Sequence, residues 1–378
     1  MRIAINGDRL RTVLPGGPEI YTLNIILALG KVDTQNEYTI FLSGVPPKKI
    51  LDQLNQLPPS FKTKIIPKIL SWTQISLALA LWSEKYDILF SAVHTLPFVA
   101  LSRVKTVSMI HGLEFLTNQE KPKFPKNLTL GLPEKLTCKF SNVIVTPSNA
   151  TKEAILNTKW KLKNADIKVI PEGVSEMFKK SSLEQIVTAL EKHKIPHEPY
   201  LIFISTIQPR KNLKSIVEAL AILKQKYGTK INLVVCGKLG WNYKEEVESP
   251  IKFGVGDQVF FAGRVPDTDL VALLSGAETF VTASYDEGFG LPVLEAMACG
   301  IPVIASDIPA HKTLAEDLAI YIDPYSPKNI AQKINSSLKE NPELTNGRVE
   351  KAKERAGNFS WEESAKKLVE IFNVSNIK

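Results

Sequence analysis

Short, β-branched apolar runs alternate with longer amphipathic stretches along the whole of this 378-residue chain, and that alternation admits few architectures. Strand, helix and strand in regular succession is the pattern of a parallel sheet wrapped by helices. The expected strands form two sets. The first comprises Arg2–Asn6, Tyr38–Leu42, Ile88–Ser91, Thr106–Ile110, Val143–Thr146 and Lys168–Ile170. The second comprises Leu201–Ser205, Asn232–Cys236, Val259–Phe261, Thr279–Thr282, Val303–Ala305 and Ala319–Ile322. A chain of this length exceeds one typical hydrophobic core and suits two domains of about 150 to 190 residues. The expected fold is therefore α/β, with two doubly wound, Rossmann-like domains. The polar, lysine-bearing stretch from Met177 to Pro199 puts the boundary after Pro171-Glu172-Gly173, giving domains 1–173 and 174–358. Residues 359–378 form a terminal segment in which Ser360 precedes a helix from Glu362 to about Phe372 and Glu363 completes a capping box.

Hydrophobic content of 44% and charged content of 23% are those of an ordinary globular protein. No apolar run reaches the ~18 residues a membrane-spanning helix needs, and Met1–Asn6 reads as a strand rather than a signal peptide. The expected location is cytoplasmic. Cys138, Cys236 and Cys299 are scattered, without metal-ligand spacing, and read as small buried residues. Charge divides unevenly: residues 1–170 hold 22 Lys and Arg against 12 Asp and Glu, and the remainder holds 25 against 27. The basic first half is either a solvated surface or a means of reaching anionic lipid headgroups at the inner face of a membrane. Its densest stretch is Lys121–Leu130. The tryptophan-bearing run Ile69–Trp82 reads equally as an interfacial segment or as a buried helix. No basic-aromatic motif points to nucleic acid as a partner.

The segment from Asp286 to Ser306, DEGFGLPVLEAMACGIPVIAS, carries one charged residue between Gly288 and Ala305, and that residue is Glu295. An ionised carboxylate in an apolar helix costs several kcal/mol unless something pairs with it, by order of magnitude. Gly288 and Gly290 make a flexible turn, Pro292 suits a first helical turn, and Gly300 with Pro302 stops the helix. Leu291, Leu294, Glu295 and Ala298 share a face. Glu287 precedes the helix N-terminus, where free N–H groups attract anions. A plain core helix with Glu295 in a structural ion pair is the other reading.

Glu287 and Glu295 resemble the Glu-x7-Glu signature of the retaining nucleotide-sugar glycosyltransferases of family 4. Further segments similar to that family, in order, are PGGPEIYTLNIILAL, SMIHGLEFL, TPSNATKEAI, VIPEGVSEMF, STIQPRKNL and FAGRVPDTDL. The resemblance implies the GT-B fold: a cleft between an acceptor-binding first domain and a nucleotide-sugar-binding second one, with the last helix crossing back to the first domain and Trp361 anchoring it. It also implies transfer of a hexose, with mannose from GDP-mannose the family-weighted choice, to a glycan or lipid-linked glycan. The alternatives are a nucleotide-sugar epimerase of the same fold and a non-catalytic binder of polyanions or membrane surfaces.

Carried onto this chain, the resemblance makes Lys211 the phosphate-binding lysine. Many relatives have an arginine where this chain has Thr206, and Arg210 is the expected substitute. Gly16 and Gly17 open a helix whose N–H groups suit a phosphate. His111 is placed beside the donor sugar; Gly112 follows it where many relatives have aspartate, which makes Glu114 a stand-in for orienting the ring. His94 is a weaker candidate. Glu287 is assigned to sugar hydroxyls, the backbone of Gly288, Phe289, Gly290 and Leu291 to sugar and phosphate, and Glu295 to the ribose. The backbone at Arg264 and Val265 is assigned to the base. Asp267-Thr268-Asp269 has the form of a metal-binding Asp-x-Asp, yet it opens an amphipathic stretch, so Asp267 reads as an N-cap and Asp269 as a first-turn acid. No metal and no cofactor are expected.

Overall fold

The computed structural model describes residues 1–13, 16–113, 131–160, 162 and 166–374. It divides into two compact units, Met1–Gly173 with Ser360–Lys378, and Val174–Phe359.

The first unit is built on a seven-stranded sheet: β1 (Arg2–Asn6), β2 (Glu37–Leu42), β3 (Phe61–Ile65), β4 (Ile88–Ser91), β5 (Lys105–Met109), β6 (Val143–Thr146) and β7 (Asp166–Val169). Their order is β3-β2-β1-β4-β5-β6-β7, and all neighbours are parallel. In the second unit β8 (Tyr200–Ile204), β9 (Asn232–Cys236), β10 (Val259–Gly263), β11 (Thr279–Thr282), β12 (Val303–Ser306) and β13 (Ile320–Ile322) run in the order β10-β9-β8-β11-β12-β13. These pairs too are parallel.

Parallel sheets are covered on both faces, so their strands must be apolar on both sides. Leu201 and Phe203 pack into one core of the second unit, while Tyr200 and Ile202 pack into the other. The order also reverses direction once in each sheet, between β1 and β4 and between β8 and β11. Loops leaving two adjacent strands on either side of such a reversal part to opposite faces and open a crevice at the carboxyl ends, where ligands of doubly wound proteins bind.

Twelve of the thirteen strands coincide with expected runs to within two residues at either end; β3 does not. Its sequence FKTKI lies at the sheet edge with four of five residues exposed. It was missed because an edge strand needs little apolar surface, and lysine protects such an edge from further pairing. The run Ile69–Trp82 divides. Trp72, Leu77, Ala78 and Leu81 are buried in a core cluster, whereas Leu70, Leu79 and Trp82 are exposed. The strongly basic Lys121–Leu130 stretch falls outside the described residues.

The final helix, Trp361–Asn373, packs on the helix Gly17–Val32 of the first unit. Ser360 caps it by accepting from the Glu363 N–H at 3.0 Å. The expected capping box is only half made, because the Glu363 carboxylate turns to Lys366 at 2.6 Å. Buried Trp361 meets Tyr21 edge-on at 5.7 Å. Ser364 Oγ donates to the Pro171 carbonyl at 2.6 Å. A Cβ on Gly173 would stand 2.7 Å from the Trp361 ring, so only glycine lets the chain pass this close to the helix.

Candidate active site

In the second unit the crevice falls between the loop after β8 and the loop after β11. The first carries a 3₁₀ turn, Pro209–Lys211, ending on Asn212 in the left-handed conformation (φ 56°). Asparagine tolerates that conformation better than most residues. Buried Asn212 also braces the turn, donating from Nδ2 to the carbonyls of Ala283 (3.0 Å) and Pro324 (2.7 Å) and accepting from the Tyr285 hydroxyl at 3.0 Å. Tyr285 N–H returns a bond to the Arg210 carbonyl at 3.0 Å.

This bracing sets Arg210 and Lys211 against Glu287. Lys211 Nζ pairs with Glu287 Oε1, and Arg210 approaches Oε2 at 3.2 Å while also donating to the Asp286 carbonyl. The three side chains are only 12–13% exposed. Burial acts to raise the Glu287 carboxyl, but the charges of Lys211 and Arg210 outweigh it and hold the group well below the usual carboxylate range. Glu287 is thus a fixed anion between two cations.

The chain continues through buried Gly288, Phe289 and Gly290 into the helix Leu291–Ala298. Gly290 is the N-cap with φ 110°, and a Cβ there would lie 3.1 Å from Cδ2 of His311. That φ strains any side chain, and His311 would have to give way by a few tenths of an ångström to admit one. His311 is buried and donates from Nδ1 to the Ser306 carbonyl at 3.2 Å, leaving Nε2 toward the glycine loop. Burial pushes it down to about 4, so it is a neutral imidazole at physiological pH. The helix ends as expected: Gly300 is left-handed (φ 68°), its N–H bonds to Met297 O, and Ile301 N–H bonds to Ala296 O at 3.1 Å. Glu295 and Leu291 lie half-buried on one face a turn apart, whereas Leu294 turns fully into the core.

Arg264 and Val265 follow β10. Arg264 is exposed, and Val265 is buried in the core. Asp267 is not a cap: the N-cap is Pro266, and both acids occupy the first turn of the helix Asp267–Ser275. The preceding proline already sets the extended geometry of the cap position. Asp269 pairs with Lys192 at 2.7 Å and His193 at 2.8 Å.

His111 and the two glycines belong to the first unit. Gly16 is the N-cap of the helix Gly17–Val32, and its N–H donates to the Glu19 carboxylate at 2.8 Å, so the helix's own acid sits where an anion was expected. One turn on, Tyr21 meets the His111 ring edge-on at 4.9 Å. His111 follows β5, with Nδ1 3.3 Å from Glu172 Oε1 and Nε2 3.0 Å from the Ala92 carbonyl. His94 stands edge-on to it at 5.5 Å. Glu114 lies outside the described residues.

Both halves of the chain match family models: residues 15–176 match Glycosyltransferase Family 4, and residues 187–355 match Glycosyl transferases group 1. The chain belongs to the family 4, group 1 glycosyltransferases. Among curated relatives, O-antigen chain mannosyltransferase B of Escherichia coli is 30% identical over 193 residues, covering 50% of each protein. D-inositol 3-phosphate glycosyltransferase of Salinispora tropica is 30% identical over 199 residues, 49% of this chain and 40% of that protein. The chain thus spans about half the length of the curated relatives it matches. Sucrose-phosphate synthase of Thermosynechococcus elongatus superposes with TM-score 0.78 at 19% identity over 98% of each chain. Anabaena HepE in complex with UDP and glucose gives 0.77 at 18% over 99% of each. At such identities the likeness establishes the fold, the GT-B fold of this glycosyltransferase family.

Asn212, His311, Glu172 and Tyr21 were not legible as site residues. Tyr21, Glu172 and Asn212 lie within segments that resemble the family and His311 lies in none, and the partners of all four are distant in sequence. The three cysteines are buried, as expected, and burial pushes each thiol up to about 12.

Proposed function

We propose that this glycosyltransferase moves a hexose from a nucleoside diphosphate sugar to an acceptor hydroxyl with retained anomeric configuration. Mannose from GDP-mannose is the proposed donor, and a glycan or lipid-linked glycan the proposed acceptor. The observation that carries the reading is the Arg210–Lys211–Glu287 cluster at the strand-order reversal of the second unit. Charge develops on the departing diphosphate, so cations fixed beforehand lower the barrier most; one such donor is worth about 2.7–4 kcal/mol.

In this reading Lys211 and Arg210 meet the diphosphate and ionised Glu287 holds sugar hydroxyls. The backbone from Gly288 to Leu291 approaches sugar and phosphate, Glu295 accepts from the ribose, and the backbone at Arg264 and Val265 meets the base. His111 serves the donor sugar. The names of the O-antigen mannosyltransferases favour mannose among the hexoses. Retention without an enzymic nucleophile implies attack from the face the diphosphate leaves.

The test is donor binding by GDP, UDP and ADP, followed by turnover of the matching sugars with and without acceptor. Release of GDP from GDP-mannose that rises with acceptor, and survives EDTA undiminished, is the expected result. Isomerisation of the donor without acceptor points to an epimerase, and a strict requirement for manganese or magnesium defeats the metal-free account.

No helix of the described residues is long and apolar enough to cross a membrane. Contact with an anionic membrane surface through the basic first half is part of the proposal. Flotation with phosphatidylserine vesicles at low salt, lost at about 0.5 M salt where charges are screened within a few ångströms, is the expected outcome.

A further inference from the structure

Away from the Glu287 cluster, a second set of buried polar groups surrounds His111 in the first unit. Its ring lies between two acceptors, Glu172 Oε1 on the Nδ1 side at 3.3 Å and the Ala92 carbonyl on the Nε2 side at 3.0 Å. A ring with one N–H satisfies one of them. A doubly protonated ring satisfies both, with the carboxylate supplying the opposite charge.

The groups facing the ring come from three elements: Glu172 from the Pro171-Glu172-Gly173 turn, Ala92 and His94 from the loop after β4, and Tyr21 from the helix Gly17–Val32. Burial, then the charges of His111 and Arg9, pushes His94 down to about 3, and burial followed by the Glu172 charge pushes the Tyr21 phenol up. Both are neutral, so of these groups Glu172 alone opposes charge on the ring. The Tyr21 hydroxyl, His94 Nδ1 and Trp361 Nε1 are buried without a hydrogen-bond partner among the described residues, so none of them stands in for the carboxylate.

Glu172 is itself held from behind. Ser364 of the final helix bonds to Pro171 O, and Gly173 passes against Trp361 too closely for a side chain. The final helix thereby fixes the turn that presents the carboxylate.

We propose that Glu172 is the positioning residue of His111: its carboxylate stands 3.3 Å from Nδ1 on a turn that the final helix fixes, and it sets the direction of the ring. The proposal rests on the transfer reading for its kinetic test only.

The experiment uses the full chain labelled with ¹⁵N-histidine, as parent, Glu172→Gln and Glu172→Ala, with His111 signals assigned by their loss in His111→Asn. In the parent Nδ1, the nitrogen facing the carboxylate, carries hydrogen. In Glu172→Ala that acceptor is gone and the Nδ1 signal moves from its parental position. With GDP-mannose, kcat falls roughly tenfold to a hundredfold in both variants while donor KM stays within about twofold. A parent ring with no hydrogen on Nδ1 overturns the proposal, even should both variants fail to fold. So does an Nδ1 signal unchanged in Glu172→Ala, or a raised KM at parental kcat. Parent protein that shows the coupled ring yet transfers no sugar sinks the transfer reading and leaves the role of Glu172 standing.

Discussion

Exchanging Glu287 for alanine is expected to cut kcat at least a hundredfold and to lower stability at the same time. The two effects have one origin. Lys211 and Arg210 converge on this carboxylate in a site only 12–13% exposed, so its removal leaves two desolvated cations facing each other. Breaking a buried pair from one side costs about 3–5 kcal/mol. Glu287→Gln keeps the shape but not the charge and is expected to lose most of the same activity. Because the folded carboxyl is held below its ordinary value, its contribution to stability is complete above the unfolded carboxylate range and is lost as pH falls toward the folded value. The difference in unfolding free energy between parent and Glu287→Ala should therefore shrink when denaturant titrations are taken from pH 6 toward pH 3. Glu295→Ala is the counterpart: contacts to a ribose are made equally in ground and transition states, so donor KM rises while kcat holds. If both variants kept parental kcat and KM, the assignment of this helix to the donor would be wrong.

Strand placement was legible because parallel strands buried on both faces must be apolar throughout, so the runs at Arg2–Asn6 or Asn232–Cys236 carry their own boundaries. Edge strand β3 escaped for the opposite reason, its lysines belonging to solvent. Sequence also does not state strand order, and the order decides where the crevices open. The alternation fixed two parallel sheets; the reversals at β1/β4 and β8/β11 emerged only from the folded chain.

The site was legible in its local grammar and illegible in its long-range partners. Gly290, Pro292, Glu295 and Gly300 announce a helix with a permissive start and a left-handed stop, and the chain folds that way. What Glu287 would meet was harder, since its cations lie 76 and 77 residues away. Gly112 pointed along the chain to Glu114 as what orients His111, whereas the described partner comes from 61 residues downstream, on the Pro171-Glu172-Gly173 turn. His311 gave no signal at all: it works as a buried wall behind Gly290, and burial of that kind is visible only in three dimensions. Asp267 misled because Asp before an apolar stretch usually caps, and here the neighbouring Pro266 already holds the position.

Gly237→Ala is expected to be the most damaging single substitution in the second unit, although it adds one methyl group. Gly237 directly follows β9 with φ 154°, a conformation that side chains rarely adopt. A Cβ there would overlap the Ser205 carbonyl oxygen and stand 2.7 Å from the carbonyl carbon, both parts of the backbone leaving β8. A flexible side chain could swing away, but a backbone carbonyl held in register by its neighbours cannot: Ser205 N–H bonds to Cys236 O at 3.0 Å on the same edge. Gly237 N–H also donates to Gly263 O at 2.8 Å, tying down the turn that presents Arg264 and Val265. Relief of the clash must therefore part β8 from β9 or release the turn assigned to the base. Losses above about 4 kcal/mol arise from few mechanisms, and backbone strain coupled to overpacking is among them. The expected result is loss of the second unit's cooperative melting transition, or its fall by well over 10 °C, with GDP binding lost alongside. The helical signal of the first unit should persist, because the two cores are separate. An alanine variant that melts with the parent and binds GDP with parental affinity would show that the β8–β9 edge yields where its hydrogen bonds say it is fixed.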